Sequence, residues 1–207
     1  MQDFILTSQR RAQLYEWFST LFSAPLSEAD LQEFDSYDLR DFLKSLATLD
    51  PLHPAATHFQ EQVSQLLQLE NSQDQLAHSY QALFTQTRLL DTSSFDELDQ
   101  DALLLMSILL KQYGTQLADD DPLHGANQLE MMATLAFASS EQVRSEAARI
   151  ELLEKQRALA NQLLISWLPP FSEQCQQQDT LGFYASLAQL LLAVFIMDIH
   201  YLNNVAQ

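Results

Sequence analysis

The chain has 207 residues, enough for one large domain or two small ones and for a core that needs no covalent staple. Ten Lys and Arg against 28 Asp and Glu leave a net charge of −18, which argues against a nucleic-acid surface and against docking on an anionic membrane. Gly114, Gly125 and Gly182 are the only glycines and lie too far apart for a phosphate loop or dinucleotide fingerprint, and the single Cys175 excludes an intrachain disulfide. Leu, Ala, Gln and Glu dominate, so the expected class is all-α.

Apolar residues recur at helical spacing along nearly the whole chain. Leu14, Phe18, Leu21 and Phe22 predict a first helix that stops before Pro25. Ser27 with Asp30 reads as a capping box opening a short second helix. Leu39, Phe42, Leu43 and Leu46 predict a third, ended by the segment Asp50 to Pro54. Phe59, Val63, Leu66 and Leu67 predict a fourth, and Leu76, Tyr80, Leu83 and Phe84 a fifth. The polar stretch Asp91 to Asp96 reads as a loop or helix start, followed by an apolar helix near Leu98 to Tyr113. Pro122 and Gly125 punctuate an acidic link, and a helix around Asn127 to Phe137 follows it. Ser139 and Gln142 form a second capping-box pattern, predicting a long helix that Pro169-Pro170 stops near Leu168. The last helix, from about Thr180 to Tyr201, is apolar nearly all round, as the central helix of a bundle is.

These elements predict a bundle of roughly nine or ten helices in two halves. The boundaries are 1–118 for the N-terminal half, 119–126 for an acidic Pro/Gly-containing hinge, and 127–207 for the C-terminal half. Residues 1–121 hold 20 acids and 6 bases, so the acidic surface belongs mainly to the first half and the link. Two halves on a short polar link predict a monomer whose hinge permits a domain-swapped homodimer. The longest strongly apolar run, Leu190 to Met197, is 8 residues, against the roughly 18 of a membrane span. Met1 to Thr7 does not read as an export signal. The expectation is a cytoplasmic protein.

No catalytic or metal-binding constellation stands out. His53, His58, His78, His124 and His200 include no i,i+4 pair, there is no G-x-S-x-G elbow, and Cys175 has no neighbouring cation to stabilise a thiolate. Neither a metal nor another cofactor is expected. Arg10-Arg11 reads as part of an exposed face of the first helix. Tyr15, Trp17, Phe18 and Phe22, and likewise Tyr80 and Phe84, read either as core or as the floor of an apolar groove for a peptide. Asp119, Asp120 and Asp121 read either as a solvated hinge or as a docking site for client arginines. They stand beside His124, whose protonated form such neighbours favour.

Larger patterns add to this. Trp167, Leu168, Pro169 and Phe171, then Cys175, then Asp179, Gly182, Phe183, Tyr184 and Ala185 resemble the C-terminal pattern of the TorD/DmsD family. Tyr15, Trp17, Phe18, Leu21, Phe22 and Ser23 resemble its N-terminal pattern, and Tyr80, Leu83, Phe84, Ser94 and Phe95 match its middle more loosely. The family's E-P-x-D-H motif is answered by Asp121, Pro122, Leu123 and His124, one residue shorter, with Asp121 for the glutamate and no acid before the histidine. Gln128, Leu129, Glu130 and Met131 stand where its next motif falls. The resemblance implies an all-α, non-enzymatic cytoplasmic chaperone. Its implied partners are the apo-form and the twin-arginine leader of a molybdoenzyme, trimethylamine N-oxide reductase. It would aid molybdenum cofactor insertion and prevent premature export. The candidate client- and leader-binding set is Tyr15, Trp17, Phe18, Tyr80, Phe84, Ser94, Phe95, Asp119, Asp120, Asp121, Pro122 and His124, an acidic edge beside apolar groups. The alternative is a generic helical module that binds amphipathic peptides.

Overall fold

The structure is a computed structural model and describes residues 2–95, 100–113, 121–142 and 145–205. It is all-α. In chain order the helices are α1 (Gln2–Ser23), α2 (Glu28–Phe34), α3 (Tyr37–Ala47), α4 (His53–Leu66), α5 (Ser72–Tyr80), α6 (Gln100–Tyr113), α7 (Gly125–Glu141), α8 (Glu146–Leu159), α9 (Ile165–Gln178) and α10 (Phe183–Val205). α5 runs on as a π-helical stretch, Gln81–Gln86, and α8 as another, Ala160–Leu164.

The helix starts follow local chemistry. Asp30 donates its backbone N–H to Ser27 Oγ at 3.3 Å, and Ser27 returns its own N–H to the Asp30 carboxylate at 2.7 Å. This reciprocal box opens α2 as the sequence predicts. Ser36 caps α3 through the Leu39 N–H at 3.2 Å. Pro54 lies in the first turn of α4, where a missing N–H costs nothing.

Three expectations are corrected. Ser139 does not open a helix: it lies buried inside α7, its hydroxyl bonded to the Leu135 carbonyl at 3.0 Å. The cap of α8 is Ser145, which accepts from the Ala148 N–H at 3.2 Å. Pro169 and Pro170 do not end a helix either, because α9 passes through both. The carbonyls they leave without an intrahelical donor belong to exposed Ile165 and half-buried Ser166. Trp167, Leu168 and Phe171 are buried, and their burial offsets the lost bonds. Finally, Arg10 is exposed but Arg11 is not.

The chain groups into two compact units. The first consists of Met1–Ser23, Leu90–Leu168 and Asp198–Gln207, the second of Ala24–Leu89 and Pro169–Met197.

The second unit is built on rings. Phe34, Phe59 and Phe183 meet with centroids 5.5 to 6.1 Å apart, and Phe84 meets Tyr80 and Tyr184 at 5.0 and 5.1 Å. Asp179 holds the start of α10. Its carboxylate accepts the Leu181 N–H at 3.0 Å, the Ala185 N–H at 2.9 Å and the Ser79 hydroxyl at 2.8 Å. Gly182 between them takes φ +85°, and a Cβ there would stand 2.6 Å from Gln62 Oε1. The run from Asp179 to Ala185 is thus a cap, a left-handed turn and two core rings. Cys175 is fully buried, and burial, followed by Asp179, pushes its thiol far above the ordinary range. Such a thiol is inert.

The first unit centres on α1 and α7. Arg11 pairs with Asp198, 187 residues away, through both Nε and Nη2, the latter at 2.9 Å. The Tyr15 hydroxyl donates to the same carboxylate at 3.0 Å, and the Arg11 guanidinium stands 5.0 Å from the centre of the Tyr201 ring. Burial works against the Arg11 charge, but Asp198 outweighs it and holds the pKa above the ordinary value. Burial and then Asp198 push the Tyr15 phenol well up, so it acts only as a donor here.

α10 is the one described helix long and apolar enough to cross a membrane by length and composition. Within its most apolar window 56% is buried inside the protein, the behaviour of a core helix.

Candidate functional site

Two loop segments of the first unit are joined just ahead of α7. Asp91 and His124 form an isolated antiparallel bridge. The Thr92 N–H donates to the Leu123 carbonyl at 2.9 Å, and the Gly125 N–H donates to the Leu90 carbonyl at 2.8 Å. Thr92 adds its hydroxyl to the Leu123 carbonyl at 2.8 Å. Each loop is also shaped from within. The Asp91 carboxylate accepts the Ser93 N–H at 3.2 Å and starts a 3₁₀ turn, Thr92–Ser94. The Asp121 carboxylate accepts the Leu123 N–H at 2.9 Å, an Asx turn around Pro122. That carboxylate precedes the N-terminus of α7, where the helix dipole favours negative charge.

A fully buried glutamine clamps the pair. Gln128 Nε2 donates to Thr92 Oγ1 at 3.1 Å and to the Pro122 carbonyl at 2.9 Å. Its Oε1 accepts the Trp167 indole N–H at 2.7 Å. An indole N–H only donates, so Trp167 dictates which end of the amide faces the loops. Gly125 lets the ring approach: a Cβ there would stand 2.9 Å from it. Ser19 of α1 closes the arrangement by donating to the Ala126 carbonyl at 2.9 Å.

Ser94, Phe95, Asp121, Pro122 and His124 therefore come together on these two loops, with Ser94 and Asp121 exposed and the other three half-buried. Asp119 and Asp120 lie outside the described residues. Trp17 is half-buried on α1, 5.1 Å from the Phe18 ring. Tyr15 and Phe18 are core residues of the first unit, and Tyr80 and Phe84 are core residues of the second. These four rings fill cores as they stand. A cleft of about 600 Å³ in the second unit, lined by Phe34, Leu43, Val63, Arg40 and Lys44 among others, includes none of the twelve residues. No group of three or more His, Cys, Asp or Glu among the described residues is arranged to hold a metal ion.

Thr92 and Gln128 stand outside the candidate set, although Gln128 falls in a family motif. A glutamine amid apolar helix positions was the available signal, because a buried amide must find partners.

Glu130, one turn beyond Asn127, is half-buried. Burial, and then Glu16 on α1, raise its pKa above the ordinary glutamate value of 4.5. A raised carboxyl weakens the fold as pH climbs past that ordinary value, since the folded state holds the proton longer than the unfolded chain. Glu130→Gln is therefore expected to raise the melting temperature slightly at pH 7 and to leave it unchanged below about pH 4. Thermal melts of both proteins across pH 3.5 to 8 test this, and a gain of equal size at every pH would contradict it.

The family model described as nitrate reductase delta subunit matches residues 49–173. The chain belongs to that family. Its relatives include the chaperone protein TorD of Aeromonas salmonicida, 38% identical over 99% of this chain and 97% of the other. The chaperone protein TorD of Vibrio parahaemolyticus is 32% identical over 98% and 99%, and that of Vibrio cholerae 31% over 100% and 98%. These relatives are named as chaperones, a role without catalysis. No solved structure matches.

Proposed function

We propose that this protein is a cytoplasmic maturation chaperone that binds the apo-form and the twin-arginine leader of a molybdoenzyme, trimethylamine N-oxide reductase. It holds the client while molybdenum cofactor is inserted and withholds it from early export. End-to-end similarity to chaperones named TorD carries this reading. The loop pair at Asp91–His124 supports it: acidic, partly exposed and locked in shape by Gln128, it suits a guanidinium that needs a preformed anionic partner.

Calorimetric titration with a synthetic reductase leader, beside one with both arginines changed to glutamine, tests the reading. The intact leader is expected to bind at least about tenfold more tightly, a difference of 1.4 kcal/mol. Reversing charge at Asp119, Asp120 and Asp121 to Lys is expected to weaken leader binding and flatten its salt dependence. Unchanged affinity at low salt would remove the acidic segment from recognition. Equal binding of both leaders and of an unrelated amphipathic peptide would make the protein a generic peptide binder instead.

A further inference from the structure

α6 packs into the first unit through Ala102, Met106 and Leu109, all buried. A helix with one buried face normally turns polar residues outward. α6 does not. Leu104 is 59% exposed and Ile108 45%. Among the described residues, they are the only exposed large apolar side chains that stand four apart on one helix. That spacing places them on one face, about 6 Å apart along the axis. Leu105 lies half-buried beside them, and exposed Asp101 stands on the same face one turn nearer the helix start. Lys111 comes at the far end. Read from its N-terminus, the outer face of α6 runs from a carboxylate through a short apolar stripe, with exposed Ser107 beside it, to a cation.

We propose that this face of α6 seats the apolar stretch of the client leader, with the leader running parallel to α6. The inference rests on the function proposed above and adds where the leader lies and in which direction. A twin-arginine leader carries its cations first and its apolar residues after them. Only the parallel orientation puts those cations toward Asp101 and the apolar residues on Leu104 and Ile108. The reverse sets arginine against Lys111, a repulsion that selects against it. The distance is also within reach. Phe95 and Asp101 are six residues apart, so at most about 20 Å separates the end of the Asp91–Phe95 loop from the head of the stripe. Six or seven extended leader residues cover that span.

The test is titration of the wild type and of a Leu104→Ser/Ile108→Ser double variant with two peptides, the full leader and a version ending directly after the arginine pair. Both positions are exposed, so the variant should melt like the wild type. Leu104→Gln alone, read in the same way, guards against a folding effect. The expected result is an affinity loss of about tenfold or more for the full leader and none for the shortened one. A leader with its residue order reversed should bind the wild type more weakly than the natural order. Equal affinity of wild type and variant for the full leader overturns the inference and leaves the proposed function standing. A wild-type dimer that the double variant loses, with leader affinity unchanged, overturns it in favour of a second copy of this chain on the stripe. No binding of the full leader to the wild type overturns both readings.

Discussion

Asp198→Ala is expected to cost roughly 3–5 kcal/mol of stability, because it leaves Arg11 charged, buried and unpaired. One carboxylate satisfies two guanidinium nitrogens of Arg11 and the Tyr15 hydroxyl together. Removing it strands three donors that water cannot easily reach. For a chain of this length each kcal/mol moves the melting temperature by roughly 2–4 °C, so a fall of about 6–20 °C should follow. The pair itself need not be strongly stabilising, since desolvation consumes much of the attraction. Replacing both partners, as Arg11→Met with Asp198→Leu, should therefore recover the part of the loss that the stranded guanidinium causes, while the Tyr15 hydroxyl stays unpaired. Differential scanning calorimetry of the single and double variants separates the two statements. If Asp198→Ala melted within a degree or two of the wild type, the buried pair would be contributing nothing.

Trp167→Ala is expected to act twice. Deleting a fully buried indole should cost roughly 3–5 kcal/mol through lost burial and the cavity left behind. It also removes the donor that orients Gln128, and with it the clamp on Thr92 and Pro122. Trp167→Phe divides these effects. It keeps most of the ring contact but leaves Gln128 Oε1 buried without its donor, at a cost of roughly 1–3 kcal/mol. If the clamp sets the loops, the Phe variant should show faster hydrogen exchange at the Thr92 and Gly125 amides, the two that tie the loops together. Leader affinity should fall with it. Exchange at wild-type rates in a destabilised Phe variant would reduce Trp167 to packing alone.

Local chemistry explains what could be read early. The helices declare themselves by period, and the Ser27–Asp30 box needs only residues three apart. The misreadings share one cause, which is that nothing local distinguishes the alternatives. Ser139 with Gln142 has the same spacing as a true cap, yet Ser139 is enclosed by α7 and the Gln156 side chain, which donates to its hydroxyl at 2.8 Å. Pro169-Pro170 carries a strong stop signal, outweighed by the burial of Trp167, Leu168 and Phe171. Of the candidate site, the Asp121–His124 segment and Ser94-Phe95 were legible as motifs. The link between them was not, because it runs through Gln128, which no pairwise spacing connects to Thr92.

The sequence alone determined the all-α class, the absence of phosphate-loop and disulfide chemistry, the concentration of acid in the first 121 residues, and the family resemblance. These depend on composition and on spacings shorter than a few helical turns. Only the tertiary structure decided that Arg11 is buried against Asp198, that Tyr15, Phe18, Tyr80 and Phe84 fill cores, and that Leu104 and Ile108 are left facing water. An apolar residue at helical spacing reads the same whether its face meets a neighbour or solvent. The neighbour is chosen by contacts between segments far apart in the chain, and periodicity carries no record of them.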